Sequence, residues 1–428
     1  MAQPILRIAF FAALLLPLTP EGSEAQGRFL QSEFLPVGAR YLGAGGGHAA
    51  LPGGAASAYY NPALLPWTGQ LEFMLEGNFV TGPTFETDGG LNRLSDHDRG
   101  NINFVGIRFP DAGGFSFAIL EATKYDHDLR GYLFGRPPEG GTKPTPDGAF
   151  APGKGAADVT DSTILDYQDR VKIQSFGIAT GYKGSPNTSF GIAFWVDRKK
   201  VFKSLDYQWG ISGPPDGNTR ADTSGWYDAE ATTNDISLHF SAGLYHRLSD
   251  KLDGGLVVNT GTDLTSVHQI DEWPNGLATR TSIVGDEVPL TIRTGAAYYW
   301  SRTLRFAADA EFQHWSGVEG DYESVVQIGV GAEWDQSERL VLRGGFFTLF
   351  DPAKEPEGGY AAALRDVERS GTLMDADEYF LTFGAGWWLT PYLMVDGAIA
   401  NSDLLSPEDG RTSLLFSLRF LFEPGEEE

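Results

Sequence analysis

From residue 70 to the end of this 428-residue chain, apolar and polar residues alternate with a period of two. That period belongs to β-strands, whose successive side chains point to opposite faces. The clearest stretch is 322–334. There Tyr322, Ser324, Val326, Ile328, Val330, Ala332 and Trp334 alternate with Glu323, Val325, Gln327, Gly329, Gly331 and Glu333. Residues 304–313 and 235–245 repeat the pattern. The last run sets Leu414, Phe416, Leu418, Phe420 and Phe422 against Ser413, Leu415, Ser417, Arg419 and Leu421. Fourteen such segments can be marked: 70–81, 101–109, 114–125, 166–183, 188–203, 231–247, 252–268, 288–300, 303–315, 321–334, 339–350, 378–390, 391–401 and 411–422. An even number of antiparallel strands suits a closed barrel, which has no free edge.

Alternation alone also fits a soluble sandwich, so the connections matter. Every second one is short: 110–113, 184–187, 248–251, 301–302, 335–338 and the Thr390–Pro391 corner. Most of the others are long and rich in Gly, Pro, Asp and Ser: 82–100, 126–165, 204–230, 269–287, 351–377 and 402–410. Tyr182, Tyr298, Trp300, Trp334, Trp387 and Tyr392 lie beside the short turns. Short turns at one end, long loops at the other and an aromatic girdle describe an outer-membrane barrel. Mean hydropathy is −0.22 despite 13% aromatic residues, as expected when a lipid face and a polar lumen face are averaged.

Residues 1–25 have the form of a secretory signal. Arg7 precedes an apolar run, Ile8–Leu18, that is too short to span a bilayer, and Ser23-Glu24-Ala25 offers small residues for cleavage. Composition and the short motifs further exclude several function classes. A formal charge of −25 repels nucleic acid, and the absence of cysteine removes disulfides, thiolate zinc sites and Cys nucleophiles. Gly43–His48 lacks the dinucleotide fingerprint and no G-x-S-x-G elbow occurs. No enzyme, cofactor or resident metal is expected. Asp96-His97-Asp98 and Asp375-Ala376-Asp377-Glu378 are weak cation candidates, with solvated loops as the plainer reading.

Between the signal and the first strand, 26–69 is rich in Gly and Ala but carries Leu42, Leu51, Tyr59, Tyr60, Leu64 and Trp67. A disordered tail has little use for these, whereas a compact plug in the lumen does. This segment holds Gly38-Ala39-Arg40-Tyr41-Leu42-Gly43-Ala44-Gly45-Gly46-Gly47 and Ser57-Ala58-Tyr59-Tyr60-Asn61-Pro62-Ala63. Further on come Val288-Pro289-Leu290-Thr291-Ile292-Arg293-Thr294-Gly295, Phe312-Gln313-His314-Trp315, and Val330-Gly331-Ala332-Glu333-Trp334 followed by Leu342-Arg343-Gly344-Gly345. In these motifs the chain resembles the FadL/TodX family of outer-membrane transporters for long-chain fatty acids and other hydrophobic molecules. The resemblance implies a 14-stranded barrel over 70–422 closed by an N-terminal hatch, in the outer membrane of a diderm bacterium. It implies capture of a hydrophobic molecule outside, passage to a site in the barrel, a hatch movement, and sideways exit near the third strand. Its partners would be that ligand and membrane lipid. The related PorV-like barrels share the plug motif and serve secreted proteins, which is the alternative. An acidic tail, 423–428, departs from the usual aromatic ending, and the long Arg136–Gly155 stretch departs at the outer face.

Arg293, Arg305, Arg343 and Arg419 fall on the lumen-facing parity of their strands. Each is either an anchor for a ligand carboxylate or a partner for Asp309, Glu311, Glu323 and Glu333 on the same face. Arg343 is the first choice for ligand, because Gly344 and Gly345 leave room beside it. Asn61, Pro62 and Ala63 would form the plug's latch, or simply a rigid turn. Eight acids in 351–378, against Lys354, Arg365 and Arg369, disfavour a free carboxylate and favour a neutral ligand or a protein partner.

Overall fold

The computed structural model describes residues 36–422, apart from 82–83, 88–91, 97–98, 136–141, 145–149, 153–159, 213–222, 274–277, 318–322, 351, 353–376, 403 and 406–410. The signal segment, the first ten residues of the plug, part of each cation candidate (97–98 and 375–376), most of Arg136–Gly155, nearly all of the acidic loop and the acidic tail lie outside the described residues.

Fourteen antiparallel strands close into one barrel. They are β1 Leu71–Thr81, β2 Arg99–Arg108, β3 Phe115–Gly135, β4 Thr160–Ser185, β5 Thr188–Ser212 and β6 Thr223–Ser249. Next come β7, built from Leu252–Asn259 and Thr262–Trp273, and β8, built from Ala278–Val288 and Thr291–Tyr299. The last six are β9 Leu304–Gln313, β10 Val325–Asp335, β11 Leu340–Leu349, β12 Glu378–Thr390, β13 Leu393–Asn401 and β14 Thr412–Phe422. Closure comes from an eleven-pair ladder running from Leu71↔Phe422 to Thr81↔Thr412. The split in β8 falls at Pro289, which has no N–H to give to the ladder.

The alternation places the apolar set outside. In β10 Val326, Ile328, Val330 and Trp334 are exposed while Val325, Gln327 and Glu333 are buried. Strands β4 to β6 present the same kind of outer surface with Ile178, Ile192, Ile236 and Phe240. So large a contiguous apolar exterior is stable only against lipid. All six aromatics expected beside the short turns are exposed on it. Among the described residues no helix is long and apolar enough to cross a membrane.

Several regions depart from the expected strand map. Strands β3 to β8 run well past their apolar stretches, with β4 and β5 paired from Thr160↔Ser212 to Ser185↔Thr188 and β7 and β8 paired through the expected loop 269–287, and a short hairpin, Thr142–Pro144 with Phe150–Pro152, lies in the expected loop 126–165. Main-chain hydrogen bonds need no apolar side chain, so hydropathy alternation does not mark these polar extensions. The expected loop 82–100 also holds a small hairpin, Thr84–Thr87 with Asn92–Asp96, whose second strand pairs with 129–132 of β3.

The lumen is filled by residues 36–69. Helix α1 (Ala39–Gly43), a 3-10 turn (Gly54–Ala56), helix α2 (Ser57–Tyr60) and a second 3-10 segment (Pro62–Trp67) form the plug. Its backbone lies directly on the wall, and glycine makes this contact possible. A Cβ on Gly331 or Gly255 would overlap the carbonyl oxygen of Ala44 or Ala49. Gly45, with φ at 63°, sits so close to the Phe346 nitrogen that no side chain fits there either.

Candidate functional site

The first strand carries carboxylates where the lumen parity leads inward, and these receive the plug. Glu76 accepts from the amides of Gly38 and Ala39 at 2.8 and 2.6 Å, at the start of α1. Glu72 accepts from the Ala55 amide at 3.0 Å. Across the lumen Asp309 of β9 accepts from the His48 and Ala49 amides at 2.6 and 3.3 Å. Acidic residues inside a spanning strand are the sequence signal for this role, and Glu72 and Glu76 carry it in plain view.

A dense ion-pair web holds α1 against β9 to β14. Arg40 of the plug makes two bonds of 2.7 Å to the Glu333 carboxylate. Arg343 donates to the same carboxylate at 2.6 Å and to Asp396 at 2.8 Å. Arg305 pairs with Glu333 and, at 2.7 Å, with Asp335, while Arg419 reaches Asp396 at 3.1 Å. Paired forks of this kind are geometrically specific. Arg343 is almost wholly enclosed by these partners. The burial of Arg40 penalises its charge, but Glu333 outweighs that and holds its pKa above the ordinary guanidinium value.

Asn61 is fully buried. Its side-chain oxygen accepts from the Ala63 amide at 3.0 Å, capping the 3-10 segment that Pro62 begins. Its nitrogen donates to the carbonyls of Ala49 at 2.6 Å and Leu244 of β6 at 3.3 Å. Ala63 is tied to the wall by the Ser189 hydroxyl, which also accepts from the Trp67 indole at 2.7 Å. The Asn61-Pro62-Ala63 corner therefore joins two parts of the plug to β5 and β6.

A cavity of about 260 Å³ lies between plug and wall. The plug gives it Tyr41, His48, Tyr59 and Tyr60; the wall gives Trp195 and Arg293 among others. Burial raises the Tyr41 hydroxyl to about 12 and lowers His48, so both face the cavity uncharged. His48 packs 4.2 Å from the Tyr60 ring centre and 5.3 Å from that of Tyr41. Of the four lumen-facing arginines, Arg293 lines this space. It pairs with Glu311 and lies over the Tyr60 ring at 5.2 Å.

Beside the cavity the wall is interrupted. The β2–β3 ladder runs from Arg108↔Ala118 to Phe104↔Ala122, and β3 next pairs on that side with the outer hairpin, at Asp96↔Leu129. Each strand bulges here. On β2, Asn103 is skipped in the register with β1; on β3, Lys124 is skipped in the register with β4. A bulge bends its strand and ends pairing locally. Asn103 donates to the carbonyl of Pro36, a cavity residue, at 3.1 Å.

The fold is that of the FadL/TodX outer-membrane transporters. The Ralstonia pickettii toluene transporter TbuX matches with a TM-score of 0.60 and 14% identity, over 89% of this chain and 97% of that one. A Pseudomonas aeruginosa FadL homologue gives 0.62 and 14% over 91% and 99%. The toluene transporter TodX of P. putida gives 0.62 and 12% over 92% and 99%. No family model and no curated protein matches the sequence.

Proposed function

We propose that this protein is a passive outer-membrane channel for hydrophobic small molecules in a diderm bacterium, and not an enzyme. The observation that carries the reading is the cavity seated on the plug beside a break in the wall between β2 and β3. A molecule held there has a short sideways path to the lipid, avoiding the aqueous compartment beyond. Arg293 is the arginine placed to meet a ligand, whereas Arg305 and Arg343 position the plug through Glu333. The Asn61-Pro62-Ala63 corner is the latch through which plug movement would be transmitted to β5 and β6.

The long-chain fatty acids expected from the family compete with smaller ligands. The volume, about 260 Å³, is at or below the low end of the roughly 300–1,000 Å³ usual for drug-sized ligands. Together with the aromatic lining, this supports compact, one-ring ligands over an enclosed long chain, and the toluene transporters among its structural neighbours support the same choice. It also supports a small molecule over a secreted protein as the client.

The test is uptake of labelled toluene and labelled oleate by a diderm host lacking its own hydrophobic-compound channels. Expression of this chain should accelerate toluene entry, and deletion of Asn103 together with Lys124, which removes both bulges, should abolish the gain. Entry no faster than in the empty host would overturn the channel reading. Oleate entry matching toluene entry would restore the fatty-acid assignment.

A further inference from the structure

Besides the Arg293–Glu311 pair, the cavity has a second polar corner. Lys124, Ser175 and His239 line it from β3, β4 and β6, and Asp197 of β5 stands behind them fully buried. The Asp197 carboxylate accepts from the Ser175 hydroxyl, lies 3.0 Å from His239 Nδ1 and lies 3.7 Å from Lys124 Nζ. Lys124 keeps the lumen-facing parity of Ser116, Ala118, Leu120 and Ala122, and the β3 register shifts beside it, between Thr123 and Tyr125. The group sits at the edge of the wall break. Aromatic rings adjoin it: His239 stacks on Trp195 at 5.8 Å, and Tyr59 meets Trp195 edge-on at 5.6 Å. Trp195 is fixed by an indole bond of 3.1 Å to Ser241.

A plain hydrocarbon entering this corner strips water from Lys124 and His239 and returns nothing, which is a net loss. A carboxylate gains from Lys124, but it also meets the charge of Asp197, which Lys124 already neutralises. A neutral hydroxyl suits both, accepting from Lys124 and donating to an acceptor of the same cluster. A hydroxyl carried on a flat ring would place that ring against Tyr59 and Trp195.

Building on the channel reading, we propose that the Lys124–Ser175–Asp197–His239 corner is a head-group subsite selecting monoaromatic ligands that bear a hydroxyl, the phenol class, over bare hydrocarbons. Lys124 is the specificity-determining residue, since it alone of the four lies on β3 beside the end of the β2–β3 ladder and carries a cation to the cavity.

The experiment compares p-cresol with p-xylene, which differ by a hydroxyl in place of a methyl group. Binding of each to the purified full-length protein in detergent is measured by equilibrium dialysis, normalised for partition into protein-free micelles. The expected Kd ratio favours p-cresol by about tenfold, the size of one good hydrogen bond. The Lys124→Met, His239→Leu double variant should bring the ratio near one, and Lys124→Arg should keep the preference. Heat-modified mobility on a gel reports whether each variant is folded. If the double variant does not fold, Lys124→Met alone is read, because that side chain is partly exposed. A wild-type ratio near one, or a folded variant that keeps the tenfold preference, overturns the subsite. Flux of p-xylene into protein-loaded vesicles separates the two readings. Flux without hydroxyl preference removes only the subsite, whereas neither flux nor binding of either compound removes the channel as well.

Discussion

The wall from β9 to β14 and the wall from β2 to β6 hold the plug in different ways. The first uses charge: Arg40 enters a web in which Glu333 serves three guanidinium groups and Asp396 two. The second uses close packing and hydrogen bonds, with Gly181, Gly191 and Gly243 against Pro62, Ala63 and Asn61 and Ser189 bonded to Ala63 and Trp67, and its β2–β3 ladder ends where both strands bulge. In the proposed channel the ion-pair web and the ladder break therefore fall on different strands.

The largest effect is expected at Glu333. Glu333→Gln keeps the shape but leaves Arg40, Arg305 and Arg343 short of a charge. Breaking a buried pair by removing one partner costs about 3–5 kcal/mol. The variant's denaturation midpoint should fall accordingly, and planar-bilayer recordings should show ion leak through an unseated plug. A wild-type midpoint with silent recordings would mean that the web does not hold the plug.

Next comes a steric contrast between the walls. Gly331→Val places a side chain on the Ala44 carbonyl, and overpacking of this sort costs about 1–3 kcal/mol. Gly100→Val, in β2, meets only ordinary contacts, the nearest at 3.4 Å to Phe79. Leak from the first and none from the second sharpens the distinction; equal leak erases it.

A smaller effect, graded with pH, is expected at His48. Burial among Tyr41 and Tyr60, with Arg293 nearby, lowers its pKa more than Asp309 and Glu311 raise it. The seated plug therefore binds fewer protons than the unseated one. Seating is at full strength above the ordinary histidine value, about 6.5, and weakens as pH falls below it. Leak measured from pH 7.5 to 5 should rise on the acid side, and His48→Gln should flatten the profile. A rise toward alkaline pH would reverse the sign and refute the assignment.

Much of this was legible in the sequence. All fourteen strands follow from alternation and turn spacing, because lipid on one side and a polar lumen on the other force the period wherever the barrel crosses the membrane. The polar extensions of β3 to β8 and the hairpin at 84–96 escaped, because main-chain bonding outside the membrane imposes no hydropathy pattern. The lumen parity of Arg293, Arg305 and Arg343 was also readable. Which of them meets the cavity was not, since that depends on Glu333 lying across from Arg343 and on Arg40 arriving from 293 residues away. Lys124 shares the lumen parity of Ser116, Ala118, Leu120 and Ala122, so its face was readable too. The register shift beside it and its approach to Asp197 of β5 were not, since both are set by pairing with other strands.

The smallest effect tests the corner that joins the plug to β5 and β6. Asn61→Ala deletes the cap on the Ala63 amide and the bonds to Ala49 and Leu244. A lost cap costs about 0.5–2 kcal/mol, so the barrel should remain folded with only a modest drop in midpoint. Two bonds of Asn61 lie within the plug and one crosses to the wall, so its loss should loosen transmission before it loosens the fold. The expected result is a several-fold change in toluene entry with a near-normal midpoint. Normal entry combined with a lowered midpoint would make Asn61 a rigid turn and nothing more. In that case the latch would have to be sought at Ser189, which ties Ala63 and Trp67 to β5 without Asn61.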